Sequence, residues 1–440
     1  MEECKKLKVA MICHFSDAEV RKHLPLSKRK LYKIFRQLLR LPGKGNGYAD
    51  LAPWNTGIIK SVQERSDIDL YVLSAHSGLK QRVISYESGE IHYNFIRCET
   101  ANLLKYIIPN DNLWRKLNPM AFEIKRLVDD IHPDLVLLVG AENAYYSSSI
   151  LTIIGYPIYV LCQNVINNPE YYVTENRNTK NLTTELKIIK NAQYMGVFSK
   201  KHYDLLRDLG YNNYIFHFNW PVTESIQFQP TPCEKKDFDF INFALQMRDD
   251  KGYHDCIKAL AIVKRRYPNV KLCLVDGGTD VVRKELKHLI SELDLVENVS
   301  FIPFFAERKD LFQFLQKVRF AVLPCKIDHI SGTQIQSMQY GLPVVCYKTT
   351  GTPSLNKDKE CVLIAEMNDV KGLAEKMLLL MDDSILAEQL RQNSFEFTQN
   401  RIRIAQQNMP RLVENFKSII DNYKHGTPIP EEQLFEYQLI

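Results

Sequence analysis

The sequence runs twice through one pattern: short, unbroken apolar runs separated by longer stretches whose apolar residues recur at helical spacing. Leu7–Cys13, Ile68–His76, Asp134–Gly140, Pro157–Gln163 and Tyr194–Ser199 form the first series. Phe238–Leu245, Val270–Gly278, Val299–Phe305, Arg319–Cys325, Leu342–Tyr347 and Cys361–Ile364 form the second. A strand with one wet face alternates polar and apolar residues. Runs that are apolar throughout are strands covered on both faces, as in parallel sheets flanked by helices. Helix-length patterns fill the gaps, among them Asn55–Glu64, Leu113–Ile131, Lys201–Leu209, Tyr253–Arg266 and Asp369–Met381. The expected fold class is therefore α/β, with two doubly wound, Rossmann-like domains in tandem.

The alternation breaks at Asn219–Lys236, which holds three prolines and no periodicity and reads as a linker. The expected domains are thus 1–218 and 237–424, joined by 219–236, with the tail 425–440 returning to the first. Long helical patterns run from Ser384 to about Lys424, with a break at Pro410. Gln81–Cys98 has the look of an inserted hairpin turning at Ser88-Gly89.

Charge and cysteines exclude several classes. A formal net charge of +5 is too small to imply nucleic acid as a partner. The 10 cysteines include no C-x-x-C pair, and most lie within apolar runs. That usage fits buried free thiols in a reducing compartment better than disulfides or zinc. The N-terminal apolar run Val9–Cys13 is too short for a signal peptide, and no stretch approaches the ~20 apolar residues of a membrane span. The expectation is a cytoplasmic protein, in which the sequons at Asn181 and Asn298 are incidental.

Two loops carry the candidate chemistry. Ser331-Gly332-Thr333 opens a helical pattern directly after the run ending at Cys325. A helix start beyond the carboxyl end of a strand offers unpaired N–H groups and a positive dipole end, and small residues let a phosphate approach them. The same residues also suit an ordinary helix cap with no ligand. Arg248–Gly252, "RDDKG", leaves the first strand of the same series and opens its first helix. Alone it reads as a solvated charged turn. Beside the other loop, Arg248 and Lys251 can neutralise a diphosphate.

Taken in order, this strand, the K-G pair, "KLCLVDGG", "FIPF", "LPC" and the small-residue helix closing in "GLPVV" resemble the retaining GT-B glycosyltransferases of the "glycosyl transferases group 1" type. The resemblance covers Phe238–Asp382 and is weaker over Lys8–Phe218, where Pro133–Asn143 and Glu185–Leu206 follow the general pattern of the acceptor-side domain. It implies a GT-B fold, its two domains facing across a cleft. The substrate implied is a nucleotide-diphosphate sugar, with Lys251, and more loosely Arg248, on the diphosphate. The family's two acids, with seven residues between them, fall on Asp328 and Gln336. Asp328 keeps a charge near the transferred sugar. Gln336 replaces the acid that binds the ribose, and its amide both donates and accepts hydrogen bonds. Phe304 stands where the family holds the base, and equally where a core strand ends. Glu142, in "GAEN", resembles an acid of the acceptor side; it and Gln163 also suit cap or loop positions. The position where relatives often carry a histidine, at the end of Leu135–Val139, is apolar here. The resemblance implies no bound metal and no cofactor beyond the sugar nucleotide.

Val20–Ala49 contains no acid, and within it Leu31, Ile34, Phe35, Leu38 and Leu39 line one helical face while Lys33, Arg36 and Arg40 lie on the other. Such a helix fits an anionic membrane surface carrying a lipid-linked acceptor, and fits equally well a helix packed on its own domain. The leading functional expectation is a retaining, metal-independent glycosyltransferase. It would act on a saccharide or lipid-linked acceptor in cell-surface polysaccharide or glycolipid synthesis, in the cytoplasm or on the inner membrane face. The alternatives are a non-catalytic sugar-nucleotide or glycan-binding protein, and another GT-B enzyme such as a nucleotide-sugar epimerase. A dehydrogenase is disfavoured, because no G-x-G-x-x-G follows a strand.

Overall fold

The computed structural model describes residues 6–14, 20, 24, 52–76, 79–97, 119–168, 179–221, 236–244, 247–305, 308–327 and 330–438. The chain divides into two compact units, one built from Met1–Lys28, Asp50–Glu224 and Ile404–Ile440, the other from Ser225–Arg403. Among the described residues no helix is long and apolar enough to cross a membrane.

The first unit is built on an eight-stranded sheet. Its strands are β1 (Leu7–Cys13), β2 (Ile68–His76), β3 (Val83–Ser88), β4 (Ile91–Arg97), β5 (Leu135–Val139), β6 (Ile158–Leu161), β7 (Tyr194–Val197) and β8 (Tyr214–His217). Their order is β3-β4-β2-β1-β5-β6-β7-β8, parallel except for the β3–β4 hairpin. Alternate residues of one strand enter different cores: Val9, Met11 and Cys13 join one apolar cluster, Ala10 and Ile12 the other. Coverage on both faces is what makes the run apolar throughout, since each buried aliphatic side chain contributes about 1.5–3 kcal/mol.

The hairpin turns at Gly89, whose φ of 60° a β-carbon would strain. It is not an appendage: β4 pairs in parallel with β2 along its whole length, so the hairpin extends the main sheet. The short strand β8 was not expected, because its four residues, Tyr-Ile-Phe-His, place only two apolar side chains between polar-tipped ones.

The second unit holds six parallel strands: β9 (Phe238–Asn242), β10 (Leu272–Asp276), β11 (Val299–Pro303), β12 (Val318–Leu323), β13 (Val344–Tyr347) and β14 (Val362–Ala365). They lie in the order β11-β10-β9-β12-β13-β14. Chain direction across the sheet reverses between β9 and β12, just as it reverses between β1 and β5 in the first unit. Such reversals leave a crevice beyond the strand ends, where ligands of open α/β sheets bind.

The second unit stops at Arg403 rather than at the expected residue 424. The helical stretch after Ser384 is two helices, Ser384–Ala405 and Asn408–His425. Pro410 lies in the first turn of the second, where its missing N–H is no loss. That last helix buries Met409, Leu412, Val413, Phe416 and Ile419 in the core of the first unit. Asn408 donates to the Trp220 carbonyl at 3.1 Å, and Tyr194 donates to Asn422 at 2.6 Å. The tail beyond it also belongs to the first unit: Leu434 bridges Phe216, and Phe435 stacks on Tyr203 at 5.2 Å. Cys13, Cys162, Cys256, Cys273, Cys346 and Cys361 are free and buried, and Cys325 is buried. Burial pushes the Cys256 and Cys346 thiols up to about 12.

Candidate functional site

In the second unit the loops after β9 and β12 meet at the switch point. Asp249–Lys251 forms a single 3-10 turn, and Gly252, at φ 76°, swings the chain into the helix Tyr253–Lys264. A β-carbon on Gly252 would stand 2.3 Å from the Pro324 carbonyl oxygen. The glycine of the K-G pair is therefore required twice, by its backbone angle and by the close approach of the β12 loop. That approach sets the Lys251 ammonium 3.7 Å from Cys325 Sγ. Arg248 folds back on Asp250, with Nε donating to Oδ1 at 2.9 Å and a terminal nitrogen donating to Oδ2.

The helix Gly332–Gln339 starts with Ser331 as its N-cap. Gln334 reaches back to accept from the Ser331 amide at 2.9 Å, and its own amide group donates to the Leu323 carbonyl at 3.3 Å. Ser331 is thus the cap of this helix. Its hydroxyl lies 2.7 Å from that of Thr333. The next amides, of Gly332 and Thr333, belong to the helix's open first turn. Gly332 is exposed, and a β-carbon there would meet nothing within 4 Å. Packing does not require a glycine at that position. Gln336 stands one turn on from Gly332, on the same helix face and half-buried.

Phe304, just beyond β11, is half-buried against the apolar cluster that includes Phe312 and Leu315. Asp328, Lys33, Arg36 and Arg40 lie outside the described residues.

Sequence reasoning missed Lys326. Its ammonium lies 3.0 Å from Asp255 Oδ2 and 3.4 Å from Asp249 Oδ2, and its backbone N–H donates to the Asp250 carbonyl at 2.9 Å. Burial works against the Lys326 charge, but Asp255 and Asp249 outweigh it and hold its pKa above the ordinary lysine value.

In the first unit the loops after β1, β5 and β6 gather a polar group at the other switch point. Glu142 follows β5. Its Oε1 accepts from Asn143 at 3.1 Å and from Gln163 at 2.8 Å, with the Gln163 amide turned to suit its neighbours. In that orientation Gln163 also accepts from the Trp54 indole at 2.5 Å. Oε2 of Glu142 is buried with no partner among the described residues. Burial, with some repulsion from Glu185, pushes the Glu142 carboxyl up to about 8. Tyr145 OH and His14 Nδ1 are 2.8 Å apart, and Asn55 donates to the His14 carbonyl at 2.7 Å. His14, at the end of β1, is a histidine the sequence pattern did not single out, because expectation placed one after β5.

Comparison with known proteins agrees with this architecture. Residues 226–397 match the family model for glycosyl transferases group 1. The chain is similar to the capsular polysaccharide biosynthesis glycosyltransferase CapM of Staphylococcus aureus, 24% identical over 217 residues that cover 46% of this chain and 55% of the relative. It spans about half the length of the curated relatives it matches. Sucrose-phosphate synthase from Thermosynechococcus elongatus superposes with a TM-score of 0.68, over 94% of this chain and 99% of that one, at 17% identity. Anabaena HepE in complex with UDP and glucose gives a TM-score of 0.64, over 93% and 100% of the two chains, at 14% identity. The fold is that of the GT-B glycosyltransferases, and residues 226–397 carry the group 1 signature.

Proposed function

We propose that the chain is a retaining, metal-independent glycosyltransferase. It takes a sugar from a nucleotide-diphosphate donor held at the switch point of the second unit and passes it to a saccharide or lipid-linked acceptor. One observation carries this reading: the contact of Gly252 with Pro324 brings the Lys251 turn and the loop leading to the Gly332 helix to one rim. A fixed ammonium and the open amides of a helix start suit the growing charge of a leaving diphosphate, with no reorganisation as it forms. The relatives agree in kind. CapM is named for capsular polysaccharide biosynthesis, and HepE was solved with UDP and glucose.

In the proposed step the bond between the sugar's anomeric carbon and the diphosphate oxygen breaks. The acceptor oxygen bonds to the same face of that carbon, and its proton passes to the departing diphosphate. Asp328 is assigned to the transferred sugar and Gln336 to the ribose. Phe304 is assigned to the base and Arg248 to the diphosphate once released from Asp250. Glu142, protonated at neutral pH, is assigned as a hydrogen-bond donor to an acceptor hydroxyl. The segment bearing Lys33, Arg36 and Arg40 is assigned, on charge pattern alone, to an anionic membrane surface presenting that acceptor.

A panel of nucleotide sugars, read by thermal shift and by turnover in the presence of a chelator, tests the reading. Lys251→Ala should lower kcat/KM for the active donor by roughly 100-fold or more, as loss of a charge-stabilising group does. An unchanged variant removes the diphosphate assignment. Stabilisation by a donor with no transfer or hydrolysis favours the binding-protein alternative, which the glutamine at position 336 keeps open.

A further inference from the structure

Lys326 stands at the centre of a network that the proposed chemistry leaves unused. Three of its contacts reach the turn that presents Lys251 or the helix start just after it. The ammonium meets Asp249 of the turn at 3.4 Å and Asp255, in the first turn of the helix Tyr253–Lys264, at 3.0 Å. The backbone N–H takes the Asp250 carbonyl at 2.9 Å. Asp255 is buried and also accepts from Tyr347 OH, at the end of β13, at 3.0 Å. The network thus ties the β9 loop to the ends of β12 and β13, beside the close approach of Gly252 to Pro324.

The chemistry of the turn calls for such a restraint. Three residues in 3-10 geometry have few hydrogen bonds of their own. Lys251 is a flexible side chain that fixes a diphosphate only if its backbone is fixed first. Asp249 is largely exposed, and among the described residues its carboxylate is held by Lys326 and His254 (3.2 Å). Asp255, by contrast, is nine-tenths buried and needs a cation.

We infer that Lys326 is a positioning residue for the donor diphosphate: it clamps the Arg248–Gly252 turn to the end of β12 and so sets where the Lys251 ammonium stands. The inference rests on the donor reading proposed above. It assigns Lys326 no contact with the donor itself.

The test compares binding of nucleoside diphosphates with binding of the matching nucleosides, since only the former depend on Lys251. UDP, ADP and GDP, each paired with its nucleoside, are titrated by calorimetry into the wild type, Asp249→Asn, Lys326→Met and Lys326→Arg. Asp249→Asn cuts the exposed half of the clamp and leaves no buried charge behind, so it should fold even where Lys326→Met does not. The expected result is about tenfold weaker diphosphate binding in Asp249→Asn and Lys326→Met, with nucleoside binding unchanged and partial rescue in Lys326→Arg. A residue that merely supports the fold would lower the melting temperature and the active fraction, and would move both ligands together. Wild-type binding of a diphosphate with an unaltered diphosphate-to-nucleoside ratio in folded Asp249→Asn overturns the clamp alone. A wild type that binds none of the three diphosphates overturns the donor reading, and the clamp with it.

Discussion

Glu142 is a carboxyl that its surroundings keep from ionising. Its Oε1 has two amide partners, its Oε2 has none among the described residues, and burial holds its pKa near 8. A carboxyl whose folded pKa exceeds the unfolded value of 4.5 keeps a proton that the unfolded chain gives up. Its contribution is therefore fully present below the unfolded value, declines as pH rises through the window, and is gone above about 8. Glu142→Gln cannot ionise. It should match the wild type in urea unfolding near pH 5 and exceed it above about pH 8, by an amount on the order of a few kcal/mol. Parallel stability profiles for the two proteins would show that the carboxyl titrates normally. The residue itself is legible in "GAEN", but its state is not. Gln163 and Trp54, which enclose it, come from other strands and helices, and nothing local announces them.

Two helix starts, each with a glycine, do opposite things. Gly252 is locked by its φ of 76° and by a carbonyl 2.3 Å from where a β-carbon would be. Gly332 has neither constraint. Gly252→Ala should therefore destabilise the second unit by about 2 kcal/mol or more, read from chemical denaturation. Gly332→Ala should leave stability level or slightly higher and instead weaken binding of a nucleoside diphosphate, because the methyl group would stand over the open amides. Equal melting and equal binding for Gly332→Ala would mean that the helix start is a cap and nothing more. Both loops are legible as loops, because each follows an unbroken apolar run and precedes a helical period. Lys326 is not: beside "LPC" it looks like any solvated loop lysine, and its partner Asp255 sits in a helix three strands earlier in the chain. Asp249 and Asp250, which read as a charged turn, become meaningful only once Lys326 and Arg248 are seen to hold them.

Across the whole chain, the two sheets were legible in the sequence, most strands to within a few residues at each end, because continuous apolar runs leave little choice of partner face. The boundary after the second sheet was not. Helical periodicity continues from Ser384 to Lys424 without saying which core it serves, and Pro410 marks a first turn rather than a change of unit. The choice is made by Met409, Leu412, Phe416 and Ile419, which fit the first unit's core. A fragment of residues 225–403 should accordingly fold cooperatively by itself, as judged by a sharp thermal transition. A fragment of residues 1–224, lacking the last helix, should bare that core and aggregate. A cooperative transition in the shorter N-terminal piece would show the returning helix to be dispensable.

That return fixes an order of events during synthesis. As the nascent chain leaves the ribosome, the second unit can mature while the first still waits for residues 404–440 to emerge. A messenger truncated before the codon for Ile404 would thus yield a polypeptide with one finished unit and one exposed, sticky one, a form that quality-control proteases are suited to remove.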